Sequence, residues 1–279
     1  MSHMPRGTPG LRGQQRVVLP GVRHTVAVAS GKGGVGKSTV AANLALALAA
    51  LHHRVGLLDA DIYGPSIPIM FGLDTVDVAT TRFPLEKFGI KLMSMGFIVQ
   101  PDQAVIWRGP MVHKAVSQFL TEIPWGELDY LVIDLPPGTG DAQLTVTQTA
   151  PLTGAVIVTT PQDVSLIDAR KGLRMFQQVH VPVLGIIENM SYFVCDQCGK
   201  RHDIFRHGGG ERCAQELGVP FLGSLPLDPL VSIQGDQGIP IVQSHPDSPS
   251  GQAYRLLAQT VAHSLDEISK NLSQLPALE

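Results

Sequence analysis

Short apolar runs recur along the chain, at His24–Ser30, Arg54–Leu58, Lys91–Met95, Tyr130–Asp134, Ala155–Thr160, Val183–Ile187 and Phe221–Gly223. Most are continuously apolar rather than alternating, which is the pattern of strands buried on both faces of a parallel sheet. Between them lie stretches of helical character at Lys37–Leu51, Val112–Thr121, Asp141–Thr149, Asp163–Gln178, Gly209–Leu217 and Ala253–Ser269. Strand–helix alternation over most of the chain predicts one α/β domain, a single doubly wound, mostly parallel sheet flanked by helices. The domain is expected to span residues 23–272. Residues 1–22, rich in Gly, Pro and Arg without periodicity, are expected to form a flexible tail in which Ser2-His3-Met4 resembles a cloning scar. Residues 273–279 are expected to be a C-terminal tail, and 188–210 an irregular segment.

Composition narrows the function. The 279 residues are 44% hydrophobic and only 16% charged, enough apolar material for a large core. A net charge of −3 supplies no basic footprint, so neither nucleic acid nor stable membrane association is expected. The longest apolar stretch, Ala41 to Leu51, is interrupted by Asn43 and is too short to span a bilayer. Three cysteines exclude a disulfide scaffold and point to a reducing compartment. A bacterial cytoplasm is the expected location, with the mitochondrial matrix as the alternative if a targeting segment has been lost.

Gly31-Lys32-Gly33-Gly34-Val35-Gly36-Lys37-Ser38 fits G-x-x-x-x-G-K-[ST], after a β-branched run and before a helix. Glycines let backbone N–H groups turn toward phosphate oxygens, and the following helix N-terminus adds positive potential. Gly31 through Thr39 therefore form the expected ATP cradle, with Lys37 on the β/γ-phosphates and the Ser38 hydroxyl on magnesium. Lys32, just after the first glycine, makes the loop resemble the deviant Walker A form of MinD, ParA, nitrogenase iron protein and Mrp/ApbC proteins. That resemblance implies that Lys32 reaches across a dimer to the partner's nucleotide. The plainer alternative is a solvated lysine on a turn.

Phosphoryl transfer also needs carboxylates near the γ-phosphate. Tyr130–Asp134 delivers Asp134 to the end of an apolar strand, the Walker B arrangement, so Asp134 is expected in the outer shell of magnesium. The Leu135–Asp141 segment then reads as a switch, with the Gly138 N–H meeting the γ-phosphate. Leu57-Leu58-Asp59-Ala60-Asp61 offers Asp61 to position water and Asp59 to support the metal site. Each aspartate has a plainer role as a cap or turn residue. Asn189 ends another apolar strand, where it either pairs with the nucleotide base or forms a turn.

Cys195-Asp196-Gln197-Cys198 is a C-x-x-C pair. Two thiolates at this spacing can share a metal or cluster, form a redox pair, or be inert. A 4Fe–4S cluster commonly takes four thiolates, which two symmetric chains would supply. Zinc on Cys195, Cys198, His202 and His207 is the rival, although the gap from the cysteines to the first histidine is short for a zinc finger. Cys213, alone on a helix, reads as a packed thiol, while Trp107-Arg108 suits an interface or the core equally.

With these residues in hand, the chain resembles the Mrp/ApbC family of P-loop iron–sulfur carriers across Gly21 to Leu257. The resemblance rests on Gly31–Thr39, Leu58–Ser66 with its Tyr-Gly-Pro-Ser, Trp107-Arg108-Gly109-Pro110, Asp134–Asp141, and Asn189–Phe193 followed by Cys195 and Cys198. It implies an ATPase homodimer that holds a labile 4Fe–4S cluster on Cys195 and Cys198 of both chains and transfers it to apoproteins. Nucleotide is then expected to shift cluster stability. A MinD/ParA-like dimerisation switch, with structural zinc or an inert cysteine pair, is the runner-up, and an ATP-dependent reductase like nitrogenase iron protein is a third reading.

Overall fold

The computed structural model describes residues 17–76, 83–98 and 109–273. The chain opens with β1 (Val22–Ser30), α1 (Lys37–Ala50), β2 (Val55–Asp59), the short α2 (Ile67–Met70), β3 (Leu85–Lys87) and β4 (Ile90–Ser94). It continues through α3 (Gly109–Thr121), β5 (Leu128–Asp134), α4 (Asp141–Thr149), β6 (Gly154–Thr159), α5 (Asp163–Gln178) and β7 (Val183–Glu188). A small β8 (Phe193–Val194) and β9 (Arg201–His202) precede α6 (Gly209–Leu217), β10 (Phe221–Ser224), α7 (Pro229–Asp236), α8 (Ile241–Ser244) and α9 (Pro249–Ser273).

Eight strands form one sheet in the order β10-β7-β6-β1-β5-β2-β4-β3. All neighbours pair in parallel except β3, which runs antiparallel on the β4 edge. This is the doubly wound, mostly parallel architecture expected from the alternating pattern. Side-chain alternation within β1 serves two layers. Val26 and Val28 pack toward α1, α8 and α9, whereas Ala27 and Ala29 face α3, α4, α5 and α6. Valines on one face and alanines on the other set how closely each layer approaches the central strand.

α1 is apolar all round because it lies against both the sheet and α9. Beyond its first turn, its one polar residue is satisfied inside the core: Asn43 Nδ2 donates to Thr39 O (2.9 Å) and Oδ1 accepts from Val242 N (3.1 Å). Among the described residues no helix is long and apolar enough to cross a membrane.

Three differences from the sequence expectations have physical causes. Val17, Leu19 and Val22 pack against the core, inside the stretch expected to be tail, while residues 1–16 lie outside the described part. The segment 188–210, expected to be irregular, contains the β8–β9 hairpin, whose strands of two residues each are too short to show a period. α9 begins at Pro249, a residue that suits a helix start because it needs no N–H there. Trp107 and Arg108 lie outside the described residues.

The sheet register brings the chemistry together. β1 lies between β6 and β5 while the chain passes from β1 to β2 across β5, a switch in strand order of the kind that opens a crevice at the carboxyl edge. Asp59 and Asp134 are direct partners across β2 and β5, and Thr159 pairs with Glu188 across β6 and β7.

Candidate functional site

The loop between β1 and α1 has a backbone that its glycines make possible. Gly36 has φ +79°, and a Cβ there would lie 2.3 Å from Asn189 Nδ2. Gly31 is pressed equally closely: a Cβ would lie 2.3 Å from the backbone of Asp168 on α5. Gly33 and Gly34 face open space, so the loop is tight at both ends and open in its middle. Lys32, half-buried, sits at the mouth with its carbonyl accepting Ser30 Oγ (2.8 Å).

Lys37 is 6% exposed, and its ammonium contacts two carboxylates, Asp134 Oδ1 at 2.7 Å and Asp61 Oδ2 at 3.6 Å. It also donates to Ser38 Oγ at 3.2 Å. The second Asp134 oxygen, Oδ2, is buried without a partner. Burial pushes the Asp134 carboxyl up, against the downward pull of Lys37. Asp59 is pushed up to about 8, first by burial and then by the charge of Asp134, its register partner. Ser94 Oγ donates to Asp59 Oδ2 (2.9 Å), as does Ile67 N (3.3 Å), and Asp61 N donates to Oδ1 (3.0 Å). Asp61 in turn accepts Tyr63 N (3.2 Å) and Gly64 N (3.3 Å), which fixes the carboxylate in the turn after β2. Lys32, Lys37, Ser38, Asp61 and Pro137 line one open cavity of about 230 Å³.

Two expected contacts take other forms. Gly138, expected to offer its N–H to a phosphate, donates it to Ser30 O (3.0 Å), tying the switch to the end of β1. Asn189, expected to meet a base or form a turn, donates its Nδ2 to Val35 O (2.8 Å) inside the loop. Asn189 nonetheless lines a second cleft of about 210 Å³ with Gly36, Thr39, Met190, Asp228 and Tyr254. Asn43 of α1 and Val231 and Ser232 of α7 also line it, and none of the α7 residues is fully buried.

The cysteines lie at the tip of the β8–β9 hairpin. Cys195 N donates to Lys200 O (3.0 Å) and Gly199 N to Cys195 O (2.9 Å), closing a tight turn that needs φ +67° at Gly199. The N–H groups of Cys198 and Gln197 then point at the Cys195 sulfur and, with the Cys198 side chain, hold its thiol below the usual value. Cys195 is half-buried and Cys198 exposed. Cys213 is packed in α6 at 1% exposure, and burial pushes its thiol up. His202 sits opposite Phe193 in the hairpin, while His207 turns away to Ser191 Oγ (2.7 Å). Among the described residues no three or more His, Cys, Asp or Glu side chains gather around a metal position. The one-chain zinc set of Cys195, Cys198, His202 and His207 is therefore not assembled, because His207 is held by Ser191 and Glu188 instead.

Glu188 and Ser191 beside the hairpin, and Ser94 beside Asp59, have no motif to announce them. Glu188 closes an apolar strand in the same way as Asp134, a signal its neighbour Asn189 obscures.

A profile of the ParA family, described as NUBPL iron-transfer P-loop NTPase, matches residues 21–262. An iron-sulfur cluster carrier protein of Aquifex aeolicus is 53% identical over 252 residues, 88% of this chain and 69% of that protein. A solved nucleotide-binding protein of Archaeoglobus fulgidus, in complex with ADP, superposes with a TM-score of 0.71 at 41% identity, covering 84% of this chain and 92% of that one. The cell division ATPase MinD of Pyrococcus furiosus shares the fold, with a TM-score of 0.65 at 23% identity over 86% of this chain and 98% of that one.

Proposed function

The chain belongs to the ParA/NUBPL family of iron-transfer P-loop NTPases, and from that premise we propose that it is an ATPase that carries a 4Fe–4S cluster as cargo between two copies of itself and delivers it to apo iron–sulfur proteins. The observation that carries this reading is the Cys195/Cys198 hairpin: two cysteines outside the core held close together in one tight turn, in a chain whose third cysteine is sealed in the core. Two thiolates fall short of the four such a cluster commonly takes, and a second copy supplies the other two. The names of the relatives at about half identity favour cluster carriage over the MinD-like alternative, which shares the fold alone.

In the nucleotide site, the Lys37 ammonium would exchange Asp134 for phosphate oxygens, a move of one charge between two anionic partners. Asp61, clamped by two backbone N–H groups, would orient the attacking water. Lys32, at the loop mouth, would reach the partner's nucleotide and meet charge that develops in the transition state. Asn189 and the cleft it shares with Asp228 and Tyr254 would take the base and ribose. The donor set suits magnesium. Asp134 Oδ2 is a buried oxygen without a partner, and hard divalent cations take oxygen ligands. Ser38 and Asp134 would hold the ion, with Asp59 behind them; when bound it neutralises phosphate charge. Hydrolysis is expected to be slow, because one of its cations has to come from the second copy.

The face that bears the cysteines has apolar surface for a second copy to cover. Ile204 and Phe205, just past the hairpin, and Val164 and Ile167 on α5 are all exposed. Val164, Ile204 and Phe205 line one groove.

Anaerobic reconstitution tests the reading. The expected product is a dimer with about four iron and four sulfide per two chains, with cluster absorption that disappears on transfer to an apo-ferredoxin. Zinc at one per chain with no iron would overturn it.

A further inference from the structure

Building on the cluster-carrier reading, we infer that Glu188, Ser191 and His207 form a positioning unit that carries nucleotide occupancy to the Cys195/Cys198 hairpin. Glu188 is fully buried at the carboxyl end of β7 and spends both oxygens on this task. Its Oε1 accepts Ser191 Oγ (2.6 Å) and Gly208 N (3.0 Å), and its Oε2 accepts Gly210 N (2.5 Å). His207 Nδ1 lies 2.7 Å from Ser191 Oγ and 3.4 Å from Glu188 Oε1. Ser191 Oγ has a single proton, which it gives to Glu188 Oε1, so in its bond with His207 Nδ1 it accepts the ring N–H.

The geometry makes this a neck. Residues 191 and 207 are the two ends of the loop that contains both cysteines, and the Ser191–His207 bond closes it. Gly208 turns left-handed at φ +75°, and at the next two positions nothing larger fits: a Cβ on Gly210 would lie 2.9 Å from Glu188 Cβ, and one on Gly209 2.8 Å from Pro161 O. The neck is therefore clamped against β7 rather than hung from it.

The other side of the same short segment belongs to the nucleotide cleft. Asn189 bonds Val35 O in the phosphate loop, and Asn189 and Met190 both line the cleft. Met190, between the cleft and Ser191, has φ +53°, a left-handed conformation that a non-glycine residue adopts only where its surroundings enforce it. Ser191 N to Leu225 O (2.9 Å) and Leu227 N to Tyr192 O (2.7 Å) anchor Ser191 and Tyr192 to the loop after β10, which supplies Pro226, Leu227 and Asp228 to the same cleft. A ligand that presses on Asn189 and Met190 has one short, strained path to the neck. The Glu188–Ser191–His207 unit would thus pass nucleotide occupancy on to the separation and orientation of the thiols, without itself touching the nucleotide or the thiols.

The test is thiol reactivity in the reduced, metal-free full chain. Iodoacetamide labelling of Cys195 and Cys198 is followed by peptide mass spectrometry, with and without saturating ADP or a slowly hydrolysed ATP analogue and magnesium. In the wild type, nucleotide is expected to change the labelling rate by about fivefold or more, the lower end of ordinary site-to-site coupling. Ser191→Ala and His207→Ala are expected to bring that ratio below about twofold while ADP affinity stays within about twofold of wild type. Ser191→Thr, which keeps the hydroxyl, and His207→Asn, whose amide can replace the Nδ1 donor, are expected to restore it. Cys213 is the internal control, since its labelling reports unfolding. Alanine variants that keep the full nucleotide-dependent ratio with Cys213 protected would overturn the proposal, as would a wild type whose cysteines ignore nucleotide. A wild type that shows the ratio but binds no cluster would overturn the carrier reading and leave the unit standing.

Discussion

The phosphate loop and the cysteine hairpin divide the chemistry of this molecule in opposite ways. The loop is built into the centre of the sheet: Lys37, Asp59 and Asp134 are buried, and two of its glycines are fixed by close contacts, Gly31 from α5 and Gly36 from Asn189 just after β7. The hairpin has two strands of two residues, stands outside the main sheet, and leaves its cysteines at the surface. Binding a triphosphate requires many dipoles held in one arrangement before the ligand arrives, and only a packed scaffold keeps them there. Passing a cluster onward requires ligands that a second protein can reach, and a packed scaffold would bury them. On the function proposed above, the same chain would place rigidity at one site and access at the other, with Glu188 and Asn189 in between.

The comparison breaks most directly at Lys37. Lys37→Ala leaves Asp134 buried beside Asp59 with no cation, and removing one partner of a buried pair is expected to lower stability by ~3–5 kcal/mol. Denaturant unfolding measures that loss, and nucleotide titration should show affinity falling by roughly 10- to 100-fold as a charged contact disappears. A variant as stable as wild type would show that the loop is not part of the core's electrostatic balance.

Cys195→Ala and Cys198→Ala should behave in the contrary way. Each is expected to abolish cluster retention while moving stability by no more than about 0.5 kcal/mol, as for surface substitutions generally. Cys213→Ala should keep the cluster and lose stability, because it empties a packed position. Iron content and thermal unfolding of the three variants, side by side, separate the accessible thiols from the structural one. Equal iron retention in all three would remove the hairpin from the site.

Lys32→Ala sharpens the comparison at the loop itself. It should spare most nucleotide affinity and lower turnover by roughly 10- to 100-fold if its charge acts only in the transition state. Mixed with Asp61→Ala protein, it should recover part of its activity in heterodimers that contain one intact composite site. No recovery at any mixing ratio would confine Lys32 to its own chain.

The smallest expected effect lies near the amino end of the interior strand β1. His24 is 2% exposed, stacks on Tyr130 with ring centroids 5.5 Å apart, and has both ring nitrogens unpartnered. Burial, helped by Arg23, holds its pKa below the usual 6.5. Between the folded value and 6.5 the unfolded chain binds more protons, so stability should fall as pH drops below about 6.5 and be unaffected above it. His24→Phe keeps the stacking and should flatten that slope, as read from urea midpoints at about pH 7.5 and pH 5.5. An identical slope in the variant would place the acid sensitivity elsewhere.

Much of this architecture can be read from local pattern. β1, β2, β4, β5, β6 and β7 announce themselves because strands buried on both faces are apolar over most of their length rather than at alternate positions, a signal that does not depend on neighbours. The phosphate loop is legible for a similar reason: its glycines and lysine are close in sequence, and the chemistry they serve is local. α2, β3, β8, β9 and α8 are only two to four residues long, too short for any period to develop.

The sequence by itself therefore determined the parallel sheet, the phosphate loop, the strand-end aspartates and the pairing of Cys195 with Cys198, since each is set by residues adjacent in the chain. Only the tertiary structure decided what those residues do to one another. Asp59 and Asp134 become neighbours through the β2–β5 register, and that proximity, with burial, raises the Asp59 carboxyl. Asn189 reaches Val35 across 154 positions, and His207 leaves the cysteines for Ser191 and Glu188. These are contacts between side chains brought together by strand order and helix packing, and no spacing along the chain encodes them.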